Sequence, residues 1–193
     1  MEYFLLFVIL IFMVAVFFMF QLDKYEVIYQ LSNIDSKKYL VRDLPDREDA
    51  ANLLALIKSN IYTLSNHLYQ SKNNYPKFEP YISQLHENLK FTVINESSSS
   101  GSYTSYSVNK GEQIVFCLRS KYTNKLHDIN LLMYVVIHEL GHVACPEYGH
   151  TNLFLEIFSF LLHHAVKLKL YKKINFNDDP SEYCGLIISE SII

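Results

Sequence analysis

Two histidines and a glutamate lie at the spacing of a metal site in the segment His138-Glu139-Leu140-Gly141-His142. In an α-helix, residues i and i+4 share one face, so the imidazoles of His138 and His142 can converge on one ion. Neutral imidazole nitrogens suit Zn²⁺, and the bound ion lowers the pKa of its water to roughly 7. The segment therefore predicts a zinc site carried by a helix.

Glu139 follows His138 and lies about 100° further round the same predicted helix. There its carboxylate can hold the water at the open position of the metal without binding the metal itself. Glu139 can then take a proton as a general base and hand it to a leaving amine as a general acid. We predict that Glu139 is the catalytic residue of a peptidase. The alternative is a structural helix whose His and Glu side chains are solvated or bonded to neighbours.

The residues around the motif predict the helix that carries it. The run from residue 133 to residue 137 is uncharged and apolar, as expected of a helix that crosses the core. Asp128 can cap a helix that runs from about Ile129 to Ala144. Pro146 and Gly149 then predict a turn that brings the chain back toward the same helix face.

A catalytic zinc needs three protein ligands and one open position. The turn after the helix would bring His150 to the metal, so His150 is the predicted third ligand. Thr151 can cap a following helix in which Glu156 is an alternative third ligand, or an acceptor for an imidazole N–H. Cys145 lies three residues after His142, and as a fourth ligand it would close the site and make it structural.

Tyr183 is a second candidate catalytic residue near the end of the chain. A tyrosine hydroxyl beside the zinc could stabilise the oxyanion of a tetrahedral intermediate. The chain has 15 tyrosines, so packing in the core or on the surface is the alternative role of this side chain.

The motif, the short turn and a third His followed by x-x-Phe together resemble the WLM and SprT-like zinc metalloproteases. The matching positions in this chain are His138, Glu139, His142, His150 and Phe154. The match covers roughly residues 110–170 and implies a zincin-like fold, a zinc cofactor and a protein or peptide substrate. The chain also looks like the single-pass, H-E-L-G-H-bearing proteins encoded by large DNA viruses. The DNA-binding tails of the family's repair proteases have no counterpart in this sequence.

Length and charge narrow the class of protein. A chain of 193 residues suits one domain with a proper core. The formal net charge is -3 and there is no basic block, so we expect no nucleic-acid partner. Three widely spaced cysteines, Cys117, Cys145 and Cys184, predict free buried thiols and mildly favour a reducing compartment.

An apolar segment near the N-terminus predicts a membrane anchor. Residues 3–22 are 20 residues without a charge, enough to cross a hydrocarbon core of about 30 Å as a helix. No basic residue precedes the segment and no small-residue cleavage site follows it, which favours an uncleaved single-pass anchor over a removed signal peptide. Basic residues follow the span, so the positive-inside rule places the domain on the cytosolic side, in a host or virion membrane if the protein is viral. A glycosylation sequon at Asn95 argues for the opposite side.

The rest of the chain predicts an α+β fold. Residues 46–69 place apolar side chains at helical spacing, with Asp46 as the N-cap. Residues 71–80 predict a loop, and residues 89–95, 103–108 and 113–119 predict the strands of a small antiparallel sheet. An exposed edge at residues 113–119 could accept a peptide as an extra strand.

The predicted architecture is therefore a zincin-like α+β domain with a small antiparallel sheet and the H-E-x-x-H helix, preceded by one transmembrane helix. The boundaries are 1–22 for the anchor, 23–45 for a tether and 46–193 for the peptidase domain. The alternative function is a non-catalytic, membrane-anchored interaction or assembly protein with a structural zinc or no metal.

Overall fold

The computed structural model describes residues 7–16, 26–99 and 104–193. Residues 7–16 are helical and are called helix α1. No helix of the described residues is long and apolar enough to cross a membrane. This finding overturns the predicted transmembrane helix and, with it, the predicted single-pass localisation and membrane partner. Residues 3–6 and 17–22 of the predicted span lie outside the described residues.

A β-hairpin follows where the sequence predicts a tether. Strand β1 (Val27–Leu31) pairs antiparallel with strand β2 (Lys38–Arg42). Tyr39 and Val41 of β2 are buried in the hydrophobic core, and β2 packs against the next helix. The hairpin is thus a packed part of the domain.

Helix α2 (Arg47–Gln70) confirms the helix predicted from apolar spacing. One face of this helix is buried, and its apolar members include Leu54, Ile57, Ile61, Leu64 and Leu68. Ser71 ends the helix, and a single 3-10 turn follows.

Helix α3 (Glu79–Leu89) lies mostly at residues 81–88, between the predicted loop at 71–80 and the predicted strand at 89–95, where the sequence predicts no element. Pro80 lies in its first turn, where a missing backbone N–H costs no helical hydrogen bond. Ile82, Leu85 and Leu89 form the buried face of this helix. Proline in this segment therefore marks the beginning of a helix and not a loop.

The central sheet has three strands in the order β3 (Val93–Glu96), β5 (Gln113–Phe116) and β4 (Tyr106–Val108). Strands β3 and β5 are parallel, whereas β4 and β5 are antiparallel. The prediction of an antiparallel sheet is therefore wrong for one of the two pairings. The predicted exposed edge at residues 113–119 is wrong as well, because β5 is hydrogen-bonded on both sides and the edge strands are β3 and β4.

Helices α4 (Ile129–Ala144) and α5 (Asn152–Lys167) confirm the two helices predicted around the motif. Asp128 accepts a hydrogen bond from the N–H of Asn130, and Thr151 accepts one from the N–H of Phe154, as N-cap residues do. Helix α4 packs against α2, α3, α5 and β4. The helix that carries the motif is therefore held from several sides.

A second hairpin, formed by strands β6 (Ser181–Tyr183) and β7 (Leu186–Ile188), follows near the C-terminus. Cys184 and Gly185 make its two-residue turn, with φ angles of 51° and 85° that suit the hairpin twist. A disulfide joins Cys184 to Cys117, which follows β5, while Cys145 is a buried free thiol. The prediction of free thiols is therefore wrong for Cys117 and Cys184 and confirmed for Cys145. The disulfide fastens the hairpin to the sheet.

Arg119 is a buried cation that links three parts of the fold. Its Nε donates to Glu96 at 2.7 Å and its Nη1 donates to Asp46 at 2.6 Å. The other carboxylate oxygen of Glu96 accepts from the backbone N–H of Arg42 at 2.7 Å. Asp46 occupies the N-cap position of α2 as predicted, but its side chain makes no capping bond and pairs with Arg119 instead.

Replacing Arg119 with Met should lower the free energy of unfolding by about 3–5 kcal/mol, because Glu96 would be left as a buried charge without its cation. Arg47→Met is the matched control, since Arg47 pairs with Asp43 at the surface and its loss should cost less than about 1 kcal/mol. Urea unfolding of the two variants measures the difference. Equal losses in the two variants would contradict this role of the buried pair.

Candidate metal centre

Three histidine side chains converge at one point on the surface of helix α4. The Nε2 atom of His138 lies 3.2 Å from Nε2 of His142 and 3.0 Å from Nε2 of His150. One nitrogen from each of the three rings lies within 4.8 Å of the others, and no other such group is found among the described residues. The helix supplies two of these residues one turn apart, and the loop after it supplies the third.

The arrangement of nitrogens fits a metal ion better than hydrogen bonding among the rings. A neutral imidazole nitrogen either donates or accepts a hydrogen bond, so Nε2 of His138 cannot satisfy both of its neighbours in this way. Ligand nitrogens around a tetrahedral zinc, with bonds of about 2.0–2.1 Å, lie roughly 3.4 Å apart. The separations of 3.0 and 3.2 Å are close to that geometry. The three histidines could therefore bind a metal.

The electrostatic environment keeps two of these rings neutral. Burial, together with the neighbouring His142 and His150 rings, lowers the pKa of His138 to about 3. Burial, with smaller contributions from His150 and Lys110, lowers the pKa of His142 to about 4. A neutral ring presents the lone pair that a metal requires, so both side chains are ready to act as ligands at neutral pH.

Phe154 of helix α5 packs against all three histidine rings. Its ring stacks on His142 at a centroid distance of 4.2 Å and meets His138 and His150 edge-on, each at 5.0 Å. Gly141 makes room for it, because a Cβ at that position would lie 3.0 Å from the Phe154 ring. The glycine within the motif thus allows the aromatic ring to support the cluster.

Lys110 fixes the loop that brings His150 to the other two histidines. Its Nζ donates to the backbone carbonyls of Cys145 at 2.7 Å and Glu147 at 2.8 Å, with a longer contact to His142 at 3.4 Å. The ammonium group also lies 4.5 Å from the centre of the Tyr148 ring. The cation therefore neutralises the C-terminal end of helix α4 and holds the loop against the sheet.

Glu139 is buried beside the histidines and lines the same cleft. Burial raises the pKa of its carboxyl group to about 7. A cation held by the histidines would act in the opposite direction and favour the carboxylate. Glu139 therefore lies next to the cluster in a position where its protonation state responds to a bound metal.

Tyr183 enters this cleft from the C-terminal hairpin. Its hydroxyl group is bonded to Oγ of Ser105 at 2.5 Å, and Ser105 also accepts from the backbone N–H of Cys117 at 3.1 Å. The disulfide at Cys184 secures the next residue of the hairpin. Burial raises the pKa of the Tyr183 hydroxyl well above its ordinary value. The structure thus brings Tyr183 to the site as a neutral hydroxyl.

Two other predicted candidates lie outside the histidine cluster. Glu156 forms an ion pair with Lys77 at 2.6 Å and is half exposed. Glu156 and Lys77 line a different groove, which is formed largely by α5 and the segment that precedes α3. Cys145 ends helix α4 with its thiol buried, and it does not belong to the metal-binding group found among the described residues.

The histidines, Glu139 and Tyr183 share one open cleft of about 670 Å³. The edge strand β4, helix α4, the loop before α5 and the C-terminal hairpin form its walls. Ser105 and Lys110 are functional candidates that sequence reasoning missed. Residues 109–111 predict a turn, but nothing local indicates that the ammonium group of Lys110 reaches carbonyls more than 30 residues away.

No family model matches the chain. Among solved structures, the chain is similar to Wss1 from Saccharomyces cerevisiae, with a TM-score of 0.49 and 20% sequence identity over 77% of this chain and 95% of that one. A mutant of Wss1 gives a TM-score of 0.46 and 19% identity. Scores of this size describe a partial likeness and assign no function.

Viral relatives are more similar in sequence, as the resemblance to viral proteins predicts. The chain is 33% identical to protein 042R of Invertebrate iridescent virus 3 over 116 residues, which are 58% of this chain and 68% of that protein. It is 44% identical to protein 136R of Invertebrate iridescent virus 6 over 69 residues, 35% of this chain and 38% of that protein. It is 45% identical to protein R325 of Acanthamoeba polyphaga mimivirus over 178 residues, which cover 92% of this chain and 90% of that protein. The chain therefore belongs to the same family as the uncharacterized protein R325 of this mimivirus.

Proposed function

We propose that this chain is a zinc-dependent peptidase in which His138, His142 and His150 hold the metal and Glu139 carries the proton. The observation that carries the proposal is the convergence of three imidazole nitrogens within 4.8 Å of one another, with a buried carboxylate in the same open cleft. Structural helices have no need of three imidazole nitrogens that face one another. Catalytic metal sites do need such a group.

The set of donor atoms favours zinc and an open coordination sphere. Three neutral imidazoles are a ligand set that zinc enzymes use, and they leave the fourth position for water or substrate. A fourth protein ligand would close the site, but the thiol of Cys145 is buried away from the cluster. The arrangement therefore supports a catalytic rather than a structural metal.

Different residues of the chain carry out different steps of peptide hydrolysis. A bound zinc ion supplies Lewis acidity, which makes a water molecule more acidic and a carbonyl group more electrophilic. The carboxylate of Glu139 accepts a proton from the attacking water and delivers it to the nitrogen of the leaving amine. The hydroxyl of Tyr183 donates a hydrogen bond to the carbonyl oxygen as negative charge develops on it.

The shape of the cleft supports a protein or peptide as the substrate. The cleft is open to solvent, and one of its walls includes residues of β4, an edge strand of the central sheet. An extended segment of polypeptide can lie along such an edge and present its backbone to the histidine cluster.

Replacing Glu139 with Gln should lower the rate of peptide cleavage at least a hundredfold, because the amide cannot accept the proton from water. The zinc content and the thermal unfolding temperature should stay at the wild-type values, since the substitution preserves the shape of the side chain. Cleavage of unfolded casein by the zinc-loaded chain is a suitable first assay, with mass spectrometry of the products.

Glu182→Gln is the matched control, since Glu182 lies in the C-terminal hairpin and its side chain bonds to the backbone of the hairpin turn. This variant should cleave casein at the wild-type rate. A Glu139→Gln chain that retains full turnover would contradict the mechanism. A wild-type chain that binds zinc and cleaves nothing would favour a non-catalytic interaction protein.

Replacing Lys110 with Met should weaken zinc binding by roughly tenfold to a hundredfold, the range seen for groups that orient metal ligands. The loop that carries His150 would lose the cation that joins the carbonyls of Cys145 and Glu147. Competition with a chelator measures the affinity. Lys110→Arg should restore part of it, and Lys125→Met at an exposed position should leave it unchanged. Equal zinc affinity in Lys110→Met and the wild type would show that the loop holds His150 without Lys110.

A further inference from the structure

The cleft runs along helix α4 and differs in chemistry between its two ends. At the C-terminal end of the helix, Lys110 bonds to the carbonyl groups of the loop that precedes α5. At the other end, Tyr183 of the C-terminal hairpin bonds to Ser105, just before strand β4. Strand β4 therefore spans the cleft from the hairpin to the loop, and a peptide along β4 would pass both ends.

The end of the cleft at the hairpin is apolar. Helix α4 contributes Tyr134 and Val135, and strand β7 contributes Leu186 and Ile188. The hydroxyl of Tyr134 bonds to the carbonyl of Glu190 at 3.3 Å, so the ring is held against the segment after β7. These side chains form a wall with few polar groups beside the polar metal centre.

The side chains of strand β7 face either the cleft or the opposite side of the hairpin. Leu186 is 57% exposed and Ile187 is 61% exposed, although both are apolar. Successive side chains of a strand point to opposite faces, and accordingly Leu186 and Ile188 line the cleft while Ile187 does not. The exposed surface of Leu186 is therefore available to something that enters the cleft.

The position of this wall fixes the part of a substrate that would meet it. Tyr134 precedes His138 by four residues, which is a rise of about 6 Å along the helix axis. An extended peptide advances about 3.3 Å per residue, so 6 Å corresponds to roughly two residues. In a peptide that runs parallel to helix α4, a side chain within two residues of the bond at the metal centre would therefore reach the apolar wall.

We infer that the cleft selects extended polypeptide segments that carry a bulky apolar side chain within two residues of the scissile bond, with Leu186 and Ile188 as the residues that set this preference. The inference rests on the proposed peptidase function. The wall is built in advance of binding, because the disulfide and the Ser105–Tyr183 bond hold the hairpin in place. A preformed apolar surface binds an apolar side chain without the cost of ordering the hairpin.

Binding and cleavage of short fluorescent peptides test the inference in the zinc-loaded chain. The peptides carry Phe or Asp at each position in turn. Binding is measured by fluorescence anisotropy in the Glu139→Gln background, where no cleavage interferes. Peptides with Phe within two residues of the cleavage site should bind and be cleaved at least about tenfold better than those with Asp.

Leu186→Glu should abolish the preference for Phe and weaken binding of the Phe peptides at least about tenfold, whereas Ile187→Glu should leave both within twofold. The two substitutions introduce the same charge at neighbouring, similarly exposed positions of one strand, so equal unfolding temperatures are expected. Equal losses of binding in the two variants, or cleavage without a preference for Phe, would overturn the inference and leave the peptidase proposal intact. Selective binding of Phe peptides without cleavage in the wild type would support the apolar wall and overturn the peptidase proposal instead.

Discussion

The burial of helix α4 in the core is the constraint on which the candidate site depends. This helix is apolar on nearly every side, and α2, α3, α5 and β4 surround it. In its C-terminal half only His138 and His142 are partly exposed, while Glu139 between them is buried. A helix held in this way cannot rotate without exposing its apolar face, so the two imidazoles keep their direction before any metal binds. The energy that positions the ligands is thus the hydrophobic energy of folding.

The other side chains of the site reach it through contacts distant in sequence. The position of His150 depends on the loop after α4. Lys110 bonds to the carbonyl of Cys145 at the start of this loop, and the ring of Phe154 packs against the ring of His150. Tyr183 depends on a hairpin that a disulfide joins to the end of strand β5. The core therefore fixes two of the ligands, while one ammonium group and one covalent bond fix the remaining walls of the cleft. These attachments also determine the shape of the surface that a peptide would meet.

The sequence predicted the parts of this structure that arise from local patterns. Helix α4, its Asp128 cap and the cap of α5 at Thr151 follow from capping chemistry and apolar spacing, and they agree with the structure. The disulfide between Cys117 and Cys184 spans 67 residues, and no local pattern distinguishes it from free thiols. The parallel pairing of β3 with β5 was missed for the same reason, since only the fold decides which strands meet. Helix α3 is not evident from the sequence because Pro80, which lies in its first turn, suits a loop as well as the start of a helix.

The metal content of the purified chain tests the central claim most directly, because it requires no knowledge of the substrate. The wild type, His150→Ala and Glu156→Ala are loaded with zinc and freed of excess ion. The zinc bound per chain is then measured by elemental mass spectrometry. The account predicts about one zinc per chain in the wild type and in Glu156→Ala, and its loss in His150→Ala. A folded wild-type chain that takes up no zinc, or a loss of zinc in Glu156→Ala alone, would contradict the three-histidine site.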